Sequence, residues 1–210
     1  TAITTGDKNI AIGSCALEKN TTAGENVAIG QQALQCNVTG IHNTGIGAGA
    51  LLKNTDCRNV AVGYHSLLCN TSGESNTAIG YNSLDANTTA DDNTAVGTCS
   101  LTANTTADSN TAVGTCSLTC NTTGTPNVAI GSSALRDNTE GSNNVAVGRS
   151  VLKVSTTASD NTGIGSFSLN ANTTGCKNTS TGGLSMLGNT EGCQNSAFGF
   201  QAMKCNTTGD

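Results

Sequence analysis

Aromatic side chains are scarce in this chain of 210 residues, which has two Tyr, three Phe and no Trp. Because large aromatic side chains dominate thick protein cores, their shortage argues against a thick globular interior. Lys and Arg together number only nine and form no cluster, which disfavours binding to the phosphates of nucleic acids. No apolar run approaches the roughly 20 residues of a membrane-spanning helix. The sequence therefore predicts neither a nucleic-acid partner nor a membrane span.

Groupings that carry catalysis or bind metals are also missing. The two histidines, His42 and His65, have no C-x-x-C motif beside them, so we expect solvated turn residues and no zinc site. Asp91, Asp92 and Asp108 lack the G-G-x-G-x-D pattern of calcium-binding β-rolls. No Ser stands in a context that suggests a triad with either His. We predict no enzyme, no cofactor and no metal site.

The abundant residues recur with a fixed period. A glycine that follows Ala-Ile or Ala-Val, or a variant of these, returns every 17 residues, with a single interval of 16: Gly13, Gly30, Gly47, Gly63, Gly80, Gly97, Gly114, Gly131, Gly148, Gly165, Gly182 and Gly199. The consensus is N-[TV]-A-[IV]-G-x-x-[SA]-L-x-x-N-T-T-G-x-x. Seventeen residues are too few for helix pairs, and short repeats bury apolar surface only by stacking. The predicted fold is all-β, one parallel β-solenoid domain of twelve coils over residues 1–210.

Each repeat predicts one short strand and one turn. Alternation places the second and fourth consensus positions on one face and the small Ala on the other. We expect the Ile/Val column, as at Ile79, to face the Leu column, as at Leu84, and to fill the coil. The repeated Gly should supply a positive φ or room for close approach. The first Asn, present in all copies from Asn9 to Asn195, should stack as an amide ladder.

The repeat resembles a known family. The segments N-T-A-I-G-Y-N-S at Asn76–Ser83 and N-V-A-I-G-S-S-A at Asn127–Ala134 resemble the head repeats of trimeric autotransporter adhesins and repeats in some viral and phage tail fibres. The resemblance covers nearly the whole chain. It implies a left-handed parallel β-roll, usually trimeric, that projects from a surface and binds host matrix.

Ten cysteines favour disulfides and an oxidising compartment. Two pairs occupy equal positions in successive coils, where Cα atoms about 4.8 Å apart are within disulfide range: Cys99 with Cys116, and Cys176 with Cys193. Two further pairs join neighbouring coils at unequal positions: Cys15 with Cys36, and Cys57 with Cys69. Cys120 and Cys205 remain as free thiols, as links between subunits, or as signs of a different pairing.

A recurring N-x-[ST] triplet predicts N-glycans along one edge of the solenoid. Eight triplets share one turn position: Asn20, Asn37, Asn70, Asn87, Asn104, Asn121, Asn172 and Asn206. A ninth, at Asn178, starts a strand and should be enclosed and unmodified. The alternative is that N-T-T-G is simply good turn chemistry, and coils about 4.8 Å apart would crowd branched sugars.

Several functions remain open from the sequence. The leading hypothesis is an extracellular or surface-exposed structural protein, on a cell or a virion, that stacks end to end into filaments because neither end departs from the repeat. The alternative is a trimeric adhesin or tail-fibre shaft. Stacked threonines, as at Thr88 and Thr105, resemble ice-binding surfaces, although adjacent threonines should point in opposite directions. Thr181 stands where an Ile is expected, and Ser155 stands where a turn Asn is expected. The two coils that contain these residues are therefore candidates for local loosening or subunit contact.

Overall fold

The computed structural model describes residues 6–209, which contain only short strands and turns. Two compact units divide the chain, unit 1 at Thr1–Asp108 and unit 2 at Ser109–Asp210. The sequence predicts that neither end departs from the repeat, and at the N-terminal end Thr4 and Thr5 lie outside the described residues. No stretch of residues 6–209 forms an apolar helix of bilayer-spanning length.

Every strand is three residues long. Unit 1 contains β1 (Ile10–Ile12), β2 (Val27–Ile29), β3 (Thr44–Ile46), β4 (Val60–Val62), β5 (Thr77–Ile79) and β6 (Thr94–Val96). Unit 2 contains β7 (Thr111–Val113), β8 (Val128–Ile130), β9 (Val145–Val147), β10 (Thr162–Ile164), β11 (Thr179–Thr181) and β12 (Ser196–Phe198).

Within each unit, each strand pairs in parallel with the next strand along the chain. The register is residue on residue, so that Ile79 pairs with Val96 in unit 1 and Val113 with Ile130 in unit 2. The coil of 16 residues keeps this register, with Thr44 opposite Val60. Its missing residue comes from the turn between Asn54 and Asn59, which is one residue shorter than the turn between Asn37 and Asn43. The all-β parallel β-solenoid is therefore confirmed.

The core of each unit contains the predicted Leu column. Leu84 and Leu101 in unit 1, and Leu118 and Leu135 in unit 2, are fully buried. All leucines of this column have left-handed φ values, such as 52° at Leu84. That conformation costs a residue with a side chain roughly 1–2 kcal/mol. Burying a Leu side chain gives back about 1.5–3 kcal/mol, so packing outweighs the strain.

The predicted place of the Ile/Val column is wrong. In β2 to β12 the middle strand residue, as at Ala78, is buried, and the residues on either side of it are half-buried or exposed. The coil is too narrow for two aliphatic columns. A Cβ placed on the middle residue Gly163 would lie 2.5 Å from Cγ1 of Val151. The Leu column therefore packs against small residues, and the Ile/Val column lies outside.

The repeated glycine meets both requirements that the sequence predicted. Gly131 has φ 130°, and a Cβ on it would lie 2.5 Å from the carbonyl oxygen of Gly148 in the next coil. The other glycines of this column have φ values between 113° and 141°. Only glycine populates this region readily, so this column allows successive coils to approach.

The strand-start asparagines are enclosed, as predicted, but they bond differently. Oδ1 of Asn26 accepts the backbone N–H of Asn43 in the next coil at 2.9 Å. Nδ2 of Asn26 donates to the carbonyl of Gly40 in its own coil at 2.9 Å. Asn178 is fully buried in the same column. The column thus ties side chains to backbone, and amide–amide bonds are secondary.

Candidate functional site: the outer strand face

The outward side chains of the strands form one continuous surface in each unit, here named the outer strand face. It consists of the first and third residues of every strand. In unit 1 these are Ile10, Ile12, Val27, Ile29, Thr44, Ile46, Val60, Val62, Thr77, Ile79, Thr94 and Val96. In unit 2 they are Thr111, Val113, Val128, Ile130, Val145, Val147, Thr162, Ile164, Thr179, Thr181, Ser196 and Phe198.

The outer strand face carries no charge and is mainly apolar, since 16 of its 24 residues are Ile, Val or Phe and the other eight are Thr or Ser. Ile79 and Ile130 each expose 40% of their surface. The chain has 9 basic and 14 acidic residues, yet none of these 23 lies on the face. All of its residues except Ser196 and Phe198 are β-branched, so their χ1 angles are restricted and little side-chain entropy is lost when the face is covered. Monomeric proteins rarely expose contiguous apolar surface of this kind.

Exposed aromatic residues on and beside the outer strand face also indicate a surface that contacts another protein. Phe198, on the outer strand face, and Phe200, two residues further, expose 70% and 73% of their surfaces. Tyr64 and Tyr81, each two residues after a strand, are about half exposed. Their rings stack in successive coils, with centroids 5.5 Å apart and planes inclined by 11°. Tyr and Phe are enriched where proteins contact one another.

The asparagines predicted as N-glycosylation sites lie inside the solenoid. Asn20, Asn37, Asn70, Asn87, Asn104, Asn121 and Asn172 are fully buried, and Asn206 is half-buried. Nδ2 of Asn87 donates to Oδ1 of Asn70 at 2.7 Å and to the carbonyl of Ala90 at 3.1 Å. A sugar on Nδ2 would break these bonds and would need space that the core lacks. Burial therefore argues against N-glycans at the seven enclosed asparagines, and the predicted edge of N-glycans stays a prediction.

These turn asparagines form the amide ladder that the sequence predicted for the other column. In unit 2, Nδ2 of Asn138 donates to Oδ1 of Asn121, and Nδ2 of Asn189 donates to Oδ1 of Asn172, each at 2.8 Å. Ser155 interrupts the ladder. Its hydroxyl and Oδ1 of Asn138 are buried without a hydrogen-bond partner.

Restoring the ladder should stabilise unit 2. We expect Ser155→Asn to raise the free energy of unfolding by about 1–3 kcal/mol, because its amide would satisfy Asn138 and a buried unpaired polar group costs about that much. Chemical denaturation of the variant and the parent chain measures the difference. Ser155→Ala is the control and should give a smaller gain than Ser155→Asn, since it removes the unpaired hydroxyl of Ser155 but leaves Oδ1 of Asn138 unpaired. Equal stabilities for Ser155→Asn and Ser155→Ala would contradict this account.

The threonines of the turn are bound to the backbone. The hydroxyl of Thr88 donates to the carbonyl of Thr105 at 3.0 Å, and that of Thr122 donates to the carbonyl of Thr139 at 2.9 Å. The next threonines, as at Thr89, are exposed. The two adjacent columns therefore differ in role, and the hydroxyls of the first are already used in holding coils together.

One predicted cysteine pair is close in space. The sulfur atoms of Cys176 and Cys193 lie 3.0 Å apart, and the N–H of Cys176 donates to Sγ of Cys193 at 3.0 Å. In unit 1 the predicted pairs do not meet. Sγ of Cys57 accepts the N–H of Ile41, and Sγ of Cys69 accepts from Nζ of Lys53.

Two further predicted cysteine pairs show no sulfur–sulfur contact within one unit. No sulfur–sulfur contact joins Cys15 to Cys36 among the described side chains. Cys99 belongs to unit 1 and Cys116 to unit 2, so their pairing stays a prediction. Burial raises the pKa of the Cys120 thiol.

Charged side chains lie away from the outer strand face and form surface pairs. Glu25 contacts Lys8 at 2.7 Å and His42 at 2.6 Å, and these partners hold the pKa of Glu25 below its usual range. The carboxyl of Asp56 beside Glu74 raises the pKa of Glu74. Exposed ion pairs contribute only about 0–1 kcal/mol. These charged residues lie on solvated turns. No group of three or more metal-ligating residues occurs within residues 6–209.

Comparison with models of protein families, with curated protein sequences and with solved structures gives no match to this chain.

Proposed function

We propose that this protein is a structural protein, the shaft of an extracellular or surface-exposed fibre, in which copies pack side by side through the outer strand face. One observation carries the proposal: each isolated unit leaves a contiguous, uncharged, β-branched surface in contact with water. Covering apolar surface gains roughly 25 cal/mol per Å². A partner that covers this face is therefore strongly favoured.

A second copy of the chain fits the face better than an unrelated partner. Side chains repeat along the face at the strand spacing of about 4.8 Å, and a second copy of the solenoid repeats at the same spacing over the same number of coils. Identical surfaces also assemble with closed symmetry, which is the commonest form of oligomer. The absence of charge means that no like charges meet when copies of the face are brought together.

Three copies suit the narrowness of the face. Each strand is only three residues long, so one chain offers a thin stripe. Three stripes can converge on a single axis and shield one another from water. This is the trimer that the resemblance to adhesin and tail-fibre repeats implies. End-to-end stacking, the leading hypothesis from the sequence, concerns another surface and stays a prediction.

The close cysteine pair supports an oxidising location. We expect Cys176 and Cys193 to form a disulfide there, with both thiols losing their protons and two electrons passing to a disulfide such as oxidised glutathione. The disulfide would join residues 17 positions apart, and closing a loop of about that length stabilises a folded chain by about 3 kcal/mol. Peptide mapping after thiol alkylation should recover the linked pair, and Cys176→Ser should abolish both the link and the stabilisation. Finding both thiols alkylated in protein taken from an oxidising compartment would contradict this.

Electron microscopy and chemical cross-linking test the side-by-side assembly. The parent chain should give slender particles and cross-linked products of up to three chains. The double variant Ile79→Asp and Ile130→Asp, with one change in each unit, should give single chains, because burying a carboxylate in an apolar contact is unfavourable. The matched control is Thr89→Asp and Thr123→Asp on exposed turns, which should behave as the parent does. Axial filaments without side-by-side products would contradict the proposal and favour end-to-end stacking.

A further inference from the structure

Strand β11 differs from all others. Its sequence, Thr179-Ser180-Thr181, contains no apolar residue, while every other strand contains Ala, Val or Ile. Its first and third residues lie on the outer strand face, and both are half-buried. Thr181 is the only hydroxyl residue among the third strand residues, where all other strands have Ile, Val or Phe. β11 is thus a single polar layer in an apolar column.

The inner hydroxyl of this layer is satisfied within unit 2. The hydroxyl of Ser180 lies 2.8 Å from that of Ser168 and 2.9 Å from that of Ser185, and all three residues are fully buried. The outer hydroxyls differ. Thr179 and Thr181 bond to neighbouring strands through their backbones, but neither side-chain hydroxyl makes a hydrogen bond to the described residues. Water satisfies them in a single chain. A partner that covers the face must supply a replacement.

We propose that β11 favours the closed arrangement, in which neighbouring copies lie parallel with their β11 strands at the same height, over arrangements that are slipped by one or more coils. This inference rests on the proposed side-by-side assembly. In register, the Thr181 hydroxyls of adjacent copies meet and bond to one another. A slip of one coil places Thr181 against Ile164 or Phe198 of the neighbour, which offer no hydrogen bond. An antiparallel arrangement also separates the hydroxyls.

The preference for the in-register assembly over a slipped one should be large enough to measure. A buried hydroxyl without a partner lowers the population of a slipped assembly on the order of tenfold to a hundredfold. A single polar residue in an apolar seam sets the register of coiled coils in the same way. The Thr residues at the first strand position cannot set the register alone, because a slipped assembly would still bring Thr opposite Thr in part of that column. Six strands have Thr there: Thr44, Thr77, Thr94, Thr111, Thr162 and Thr179.

Photo-cross-linking between isotopically distinct copies tests the register. Benzoylphenylalanine replaces Phe198, a residue of similar shape, and mixed ¹⁴N and ¹⁵N chains allow mass spectrometry to recognise cross-links between copies. In the otherwise unchanged chain these cross-links should fall only on residues 196–200 of the neighbour. Thr181→Val removes the hydroxyl and keeps the shape, and it should spread the cross-links to adjacent coils. Thr181→Ser and the control Thr162→Val should leave them confined.

The outcomes separate the two proposals. Cross-links that stay confined in Thr181→Val, or that are spread already in the unchanged chain, overturn the role of β11 while the assembly stands. Absence of any cross-link between ¹⁴N and ¹⁵N chains overturns the side-by-side assembly itself.

Discussion

Gly131→Ala should lower the free energy of unfolding of unit 2 by at least about 3 kcal/mol, or prevent its folding. The φ of 130° at this residue is a conformation that side chains rarely adopt, and holding it costs about 1–3 kcal/mol. In addition, the new Cβ would lie 2.5 Å from the carbonyl oxygen and 2.7 Å from the carbonyl carbon of Gly148. Backbone atoms of the next coil cannot move aside without breaking strand pairing. Thermal and urea denaturation followed by circular dichroism measure the loss.

Gly183 provides the matched control in the same unit. It has no positive φ, and the nearest atom to an added Cβ is a ring carbon of Phe200 at 3.4 Å, an ordinary contact. Gly183→Ala should therefore leave the stability unchanged or raise it by up to about 1 kcal/mol, since alanine restricts the unfolded chain. A similar loss in both variants would show that the coils do not approach as closely as described.

Leu84→Ala should cost about 2–5 kcal/mol, because it removes a fully buried side chain and leaves a cavity in a narrow core. Ile79→Ala, five residues earlier in the same coil, should cost less than about 1 kcal/mol in separated chains, because Ile79 is 40% exposed. Urea denaturation compares the two in an Ile46→Asp and Ile130→Asp background, which keeps the chains apart by placing one charge on the outer strand face of each unit. The reverse order of effects would place the Ile/Val column inside after all and remove the outer strand face.

The period of the repeat was sufficient to predict the solenoid, its parallel register and the role of the repeated glycine. These features follow from stacking, since equal residues in successive coils must meet. The direction of each side chain was harder to predict. Alternation assigns Ile79 and Ala78 to opposite faces but does not say which face is inside, and hydrophobicity favoured the wrong one.

A size signal in the sequence could have corrected this. The middle strand position holds only Ala, Gly or Ser, as at Gly163 and Ser180, whereas the third position accepts side chains from Thr181 to Phe198. A position limited to small residues is confined, and one that accepts Phe is open. The same reasoning bears on the turn asparagines. Their N-x-[ST] triplets suggested a sugar site. The turn triplet occurs in only eight coils, whereas the asparagine itself recurs in every coil except that of Ser155, and this recurrence reflects a buried ladder.

Sedimentation equilibrium tests most directly whether the outer strand face joins copies of the chain. The parent protein should have a molar mass close to three times the 20.9 kDa of one chain, and the double variant Ile79→Asp and Ile130→Asp should have the mass of one chain. A parent protein that sediments as a single chain at every concentration, with its strands folded, would contradict the proposed assembly.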